Sequence, residues 1–252
     1  ELSIEAAASV KGVPYHPGAA KYFEEKGYKV DAVKEGAGNG TASALSFGTG
    51  GESGTYYAFG GVLASFVSGK SDCKVTALTS GGSQANVEDL TNGNVQLAFV
   101  QSDVMNYAYN GQRLFDSPVT GFSVVAQLYQ EQVQIVTTNP DIKTVADLAG
   151  KKVSIGAAGS GVYFNAIDVL SAYDLKESDI SAVYQSFGDS AESLKDGKID
   201  AAFIVAGAPT TAITDLATAG NVYLVSLDDS HVQSLLSASP YYTAATIKAG
   251  TY

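Results

Sequence analysis

Ser46-Phe-Gly-Thr-Gly-Gly-Glu-Ser-Gly-Thr-Tyr-Tyr57 reads as the end of a strand, a glycine-rich turn and the start of a helix. A partial echo, Ser154-Ile-Gly-Ala-Ala-Gly-Ser-Gly-Val-Tyr-Phe164, follows at a spacing of 107 residues when Ser53-Gly54 is laid on Ser160-Gly161. A glycine turn feeding a helix presents free backbone N–H groups, a ready anion site. Two such turns predict two similar lobes that close on one small ligand.

A second repeat supports this reading. Leu90-Thr-Asn-Gly-Asn-Val-Gln-Leu-Ala-Phe-Val100 aligns without gaps on Leu194-Lys-Asp-Gly-Lys-Ile-Asp-Ala-Ala-Phe-Ile204, at a spacing of 104. The period is domain-sized, so the expectation is two related α/β lobes and not a solenoid. Around the first turn, Phe59, Val62, Leu63, Phe66 and Val67 follow helical spacing and predict one buried helix face. Val75–Thr79 and Val95–Val100 read as strands, the latter apolar enough for a buried parallel sheet. Ser83 reads as the N-cap of a short helix through Leu90. Phe122–Val136 has the alternation of a long strand crossing between lobes. Asp141–Leu148 and Lys151–Ile155 open the second lobe, and Pro240–Ile247 reads as a strand returning to the first. Near the N-terminus, Pro17 starts a helix that Gly27 ends. Asp31–Ala42 is small, polar and glycine-rich, a connector. Its Asn39-Gly-Thr41 sequon is read as chance.

Composition limits the partners. The 252 residues carry a net charge of −11 with 45% hydrophobic residues and 27 glycines. That balance argues against nucleic acid and anionic membranes. It leaves an anionic or zwitterionic ligand open, because local dipoles govern a pocket. Arg113 is the only arginine and reads as a surface residue. Cys73 is the only cysteine, and His16 and His231 lack ligand spacing, so neither a metal nor a cofactor is expected. No run is long and apolar enough for a transmembrane helix. The first five residues carry no secretory signal, which fits a trimmed form as well.

The first turn lacks Gly-x-Gly-x-x-Gly spacing, and Gly69-Lys70-Ser71 follows a helix where a phosphate loop precedes one. Gly51-Glu-Ser-Gly54 lacks nucleophile-elbow spacing, and nothing orients His231 as a base for Ser53 or Ser160. What remains is a polar set at strand C-terminal ends, the usual ligand edge of open α/β sheets. The expected ligand contacts are Gly51, Ser53, Gly54, Thr55, Tyr56, Ser83, Gln101, Ser102, Ser160, Gly161, Val162 and Asn165. For Ser83 a capping role stands equally. Asp103 serves as a helix cap or as the partner of a ligand amine. Tyr57 and Phe164 are expected to pack inward.

These motifs resemble the TAXI family, the extracytoplasmic solute receptors of TRAP transporters. The resemblance rests on Gly48–Tyr57, Ser80–Ser83, Val100–Val104, Tyr107–Gly111, Val133–Val136, Gly159–Gly161 and Ala249–Tyr252. It implies an α/β, two-lobed type II periplasmic-binding-protein fold with the ligand cleft between lobes. It also implies a small carboxylate guest such as glutamate, glutamine or 2-oxoglutarate, an extracytoplasmic location, a membrane permease as partner, and no enzymatic activity. An enzyme on the same two-lobed fold is the alternative. Two features depart from the family. Val162-Tyr-Phe164 is bulkier than usual after Gly-Ser-Gly, as in a reshaped pocket. Pro14–Gly27 also resembles the family's C-terminal end yet comes first, and a segment expected after Tyr252 does not follow. The implied arrangement is a circular permutant, as in engineered sensors, with that segment in a separate chain or beside an inserted reporter. The implied division is 1–30 packing on lobe I, 31–42 linker, 43–131 lobe I, 132–238 lobe II, and 239–252 returning to lobe I.

Overall fold

The computed structural model describes residues 2–34 and 42–252. Most of the 31–42 connector, with its sequon, lies outside the described residues. The first part of the chain holds α1 (Ile4–Ala7), α2 (Pro17–Glu25), β1 (Ala44–Gly48), α3 (Thr55–Lys70), β2 (Lys74–Leu78), α4 (Ser83–Thr91), β3 (Leu97–Ala98) and α5 (Ser102–Asn110). The second part holds β4 (Gln132–Thr137), β5 (Lys152–Ser154), α6 (Val162–Ala172), β6 (Ser181–Val183), α7 (Phe187–Lys195), β7 (Ala201–Ala206), α8 (Thr211–Ala219), β8 (Tyr223–Leu224) and α9 (Asp229–Ala238).

Two sheets result, one per lobe. Lobe I has three strands in the order β2-β1-β3, all parallel. Lobe II has five in the order β6-β5-β7-β4-β8, with β4 antiparallel to both β7 and β8. The run Ala201–Ala206 is buried at every position, as a strand covered on both faces must be. Ala201, Phe203 and Val205 enter one core cluster, and Ala202, Ile204 and Ala206 the other. That two-residue period places a layer of packing on each face of the sheet.

The sequence repeat is a structural repeat. α4 ends at Asn92 and Gly93 turns with φ +74°; α7 ends at Asp196 and Gly197 turns with φ +66°. In each case a six-residue bond closes the turn, Asn94 N–H to Asp89 O at 2.9 Å and Lys198 N–H to Ser193 O at 2.8 Å. Only glycine enters that left-handed region without a Cβ penalty.

The N-terminal segment is tied into lobe I. Tyr15 bridges in parallel to both Ala32 and Val124. Its buried ring packs with Val13, Phe23, Met105 and Val124, and its hydroxyl donates to Ala7 O at 2.9 Å.

Several expected strands are shorter. Of Phe122–Val136, only Gln132 onward is strand, apart from the bridge at Val124. Of Val95–Val100, only two residues pair. Residues 239–252 contain no strand. Side chains hold that segment instead: Tyr241 packs on Tyr107 of α5, and Thr243 accepts from Gln130 Nε2 at 2.6 Å. The α3 face expected to be buried is only partly so: Phe59 and Leu63 pack on the lobe I core, while Val62, Phe66 and Val67 are 63%, 61% and 40% exposed. A three-stranded sheet covers only the side carrying Gly60 and Ala64, which are the buried residues of that helix.

Candidate ligand cleft

The lobes meet along the C-terminal ends of their strands, where loops turn into helices. α3, α4, α5 and α6 begin at this seam, and none has a side-chain cap. α8 likewise has no side-chain cap, whereas α1, α2, α7 and α9 are capped by Ser3, His16, Ser186 and Asp228. A helix N-terminus left without a cap keeps its N–H donors for another acceptor. Each is worth about 0.3–1 kcal/mol toward an anion at a surface, and more when partly buried.

Glycines allow the lobes to touch. A Cβ on Gly82 would lie 3.1 Å from Ser160 Cα, and one on Gly81 2.7 Å from Ala158 O. The Ala85 N–H donates to Gly159 O across the seam at 3.0 Å. The first turn meets a different part of lobe II: a Cβ on Gly54 would touch the Phe187 ring at 3.5 Å, and one on Gly188 would lie 3.0 Å from Ser53 Oγ. Both glycine turns therefore face the opposite lobe.

A polar chain runs through the interior of the seam. Gln101 Nε2 donates to Asn165 Oδ1 at 2.7 Å. Asn165 Nδ2 donates to Asp103 Oδ2 at 2.9 Å and to the Tyr242 oxygen at 2.8 Å. Tyr242 OH donates to Asp168 Oδ2 at 2.8 Å, and Asp168 also pairs with Arg113. Burial pushes the Asp103 carboxyl up to about 6, against the lowering pull of the Val104 N–H and Asn165, with Asp168 adding repulsion. Arg113 lies at the surface as expected, and its pair with Asp168 ties the turn after α5 to α6.

A second acid lies just before β4. Glu131 accepts from Tyr56 OH at 3.0 Å. Burial pushes its carboxyl up to about 8, the Tyr56 bond opposes this, and Asp103 adds repulsion. Its side chain is half-exposed, so it sits among protein atoms and still meets solvent, as a group in a cleft does. Beside it the Tyr129 hydroxyl is buried without a partner, and so is Ser160 Oγ across the seam.

The expected residues divide. Ser83, Gln101, Ser160, Gly161 and Asn165 meet at the seam: a Cβ on Gly161 would overlap Gln101 Oε1 and lie 3.1 Å from Ser83 Oγ. Ser83 is the first residue of α4 with Gly82 as the cap, so its hydroxyl turns to Gln101, accepting from that N–H at 3.1 Å. Asp103 is no cap either; Gln101 holds that position. Gly54, Thr55 and Tyr56 line the first turn, with Thr55 against Gly207. Gly51 and Ser53 line an open groove of about 500 Å³ with Phe187, Asp189, Glu192 and Lys195. With Glu52 and Asp215 also on its wall, that groove is acidic and poorly suited to an anion. Ser102 is exposed, because the first turn of α5 buries Asp103 instead. Val162 belongs to the core of lobe II, where it fills the space beside Gly156. Tyr57 is 37% exposed because α3 turns that face outward, while Phe164 is buried as expected. His231 stacks on Tyr173 at 3.6 Å between centroids and pairs with Asp228 at 2.6 Å.

Glu131, Tyr129 and Tyr242 escaped the sequence reading. One signal was available: Glu131 is the only charged residue between Asp116 and Asp141. Among the described residues no cluster of His, Cys, Asp and Glu suits a metal, and no helix is long and apolar enough to cross a membrane.

The profile of the NMT1-like family matches residues 47–252. Among solved structures, the alkanesulfonate-binding protein SsuA of Xanthomonas axonopodis pv. citri bound to MOPS is similar at 20% identity and TM-score 0.50, over 74% of this chain and 61% of that one. A Bordetella bronchiseptica RB50 protein is similar at 18% identity and TM-score 0.54, over 79% of this chain and 67% of that one. The periplasmic aliphatic sulphonate binding protein SsuA of Escherichia coli is similar at 22% identity and TM-score 0.45, over 73% and 57%. The chain spans 57% and 61% of the two sulfonate-binding proteins' lengths. The fold is the two-lobed α/β architecture of type II periplasmic binding proteins.

Proposed function

We propose that this chain, which belongs to the NMT1-like family, is a solute receptor whose lobes close on a small carboxylate ligand. The observation that carries this reading is the convergence of four helix N-termini without side-chain caps, those of α3, α4, α5 and α6, on one seam. Helix starts without side-chain caps at a closable interface suit a guest that brings its own oxygens, although the Ala85 and Val104 N–H groups already bond Gly159 O and Asp103 Oδ1. The ligand contacts in this reading are Gly54, Thr55 and Tyr56 from the first turn, Ser83 and Gln101 from lobe I, and Ser160, Gly161 and Asn165 from lobe II. Contact with both lobes occurs only in the closed form, so binding shifts the population toward it.

The finer assignment follows the sequence motifs. The protein is read as a TAXI-type receptor that works outside the cytoplasm and hands its solute to a TRAP permease. Residues 1–30 are read as the family's C-terminal end placed first. This is supported by the match beginning only at residue 47, although Tyr15 is part of the lobe I core. An intact mass above 26.0 kDa, or a co-purifying chain, supports a segment beyond these residues; 26.0 kDa alone opposes it.

Isothermal titration with glutamate, glutamine, 2-oxoglutarate and glutarate tests the receptor reading. Saturable one-to-one binding without turnover is expected. Product formation, or no heat from any of the four, overturns it.

A further inference from the structure

We infer that Glu131 is the cation end of the ligand site, and that the ligand carries a protonated amine beside its carboxylate. This deepens the receptor reading above and rests on it.

The argument starts from the chemistry of a carboxylate set among protein atoms. Such a group is costly to ionise unless a cation or several donors attend it. The ion pairs among the described residues are Arg113–Asp168, Lys198–Asp196 and His231–Asp228. None involves Glu131. Among the described residues its one side-chain hydrogen bond comes from Tyr56, whereas a carboxylate has room for about four.

The groups facing Glu131 are Tyr56 from α3, Tyr129 from its own segment and Asp103 from α5. None is a cation, and Asp103 is itself acidic. The Tyr129 hydroxyl is buried with no partner of its own. Aromatic faces enclose the same spot: Tyr129 lies 6.5 Å from the Tyr56 ring and 5.6 Å from Phe59, between centroids. A carboxyl group without a cation, an unpartnered hydroxyl oxygen and neighbouring aromatic rings together make a set complementary to an ammonium, which is all donor and no acceptor.

The Tyr56 side chain places this wall beside the uncapped start of α3, since Tyr56 is the second residue of that helix. The site thus has a positive end made of helix N-termini and a negative end made of Glu131. An α-amino acid matches both ends. A 2-oxo acid matches only the first, because it has no cation to compensate an ionised Glu131.

L-Glutamate and 2-oxoglutarate, which differ in the amine, separate the possibilities by titration on the whole chain. For the wild type, L-glutamate is expected to bind at least tenfold more tightly than 2-oxoglutarate. With Glu131→Gln, the L-glutamate affinity falls at least tenfold while that for 2-oxoglutarate holds or rises. Because the wild-type comparison needs no variant, the inference stays testable even if Glu131→Gln fails to fold. Titrations in buffers of different ionisation heat add a second readout. Glu131 gives up its proton to meet the ammonium, so L-glutamate binding near pH 7 releases protons in the wild type and not in Glu131→Gln.

Equal wild-type affinities, or equal losses for both compounds in the variant, overturn the role of Glu131 and leave the receptor reading standing. Absence of binding by every compound tried overturns both.

Discussion

The two lobes follow one plan and differ in how completely it is covered. α3 and α6 each follow a glycine turn at the end of a parallel strand, and both are strongly apolar. α6 buries Val162, Ala166, Val169 and Leu170 in the lobe II core, and Phe164 and Asn165 against lobe I. α3 buries only Gly60 and Ala64 on a three-stranded sheet, with Phe66 left 61% exposed. A helix apolar all round belongs in an interior. The same local sequence logic therefore gives different packing, because the surrounding layers decide how much of an apolar helix is hidden.

The sharpest way to break the comparison is to remove one phenylalanine from each lobe. Phe203 in β7 is fully buried, so Phe203→Ala is expected to cost about 3–5 kcal/mol by urea denaturation. Phe66→Ala on α3 is expected to stay within about 0.5 kcal/mol. Equal costs would show that α3 is covered in solution.

The next effect concerns the contact between lobes. Asn165 is 2% exposed and serves Gln101, Asp103 and Tyr242 at once. Asn165→Leu leaves Asp103 and Gln101 without those partners and is expected to cost about 1–3 kcal/mol, read as a lowered urea midpoint. An unchanged midpoint would mean that the lobes do not lean on this residue.

A pH series sharpens the comparison further, since both perturbed acids lie on the lobe I side of the seam. In the fold, Glu131 holds its proton to about pH 8 and Asp103 to about pH 6. Unfolded, they release it near their ordinary values of 4.5 and 3.8. The folded state binds more protons across that window, so stability falls as pH rises from about 4 to about 8. Glu131→Gln is expected to flatten the upper part of that slope and leave the lower part. A slope that survives intact in the variant assigns it to other groups.

Much of this was legible from residues alone. The glycine turns and the Leu90/Leu194 repeat located both lobes, because glycine at a left-handed position and an apolar strand are local demands. The helix from Pro17 was equally local, with Pro17 at its start and Gly27 at φ +88° beyond its end. The site was legible only in part. Ser83, Gln101, Ser160, Gly161 and Asn165 met as their positions at strand ends implied. Val162 went to the core because Gly156 leaves a space beside it, which spacing cannot reveal. Residues 239–252 alternate like a strand but are held by Tyr241, Tyr242 and Tyr252, whose partners Tyr107, Asn165 and Thr210 lie 42 or more residues away in sequence. Asp103 and Glu131 acquire their character from each other and from burial, which a one-dimensional pattern does not carry.

The claim beneath all of this is that the seam opens and closes around a guest. Small-angle X-ray scattering of the wild type, alone and saturated with the tightest-binding compound of the titration panel, measures that motion directly. The expected result is a smaller radius of gyration with ligand than without it. Identical scattering curves with and without the bound compound would contradict it.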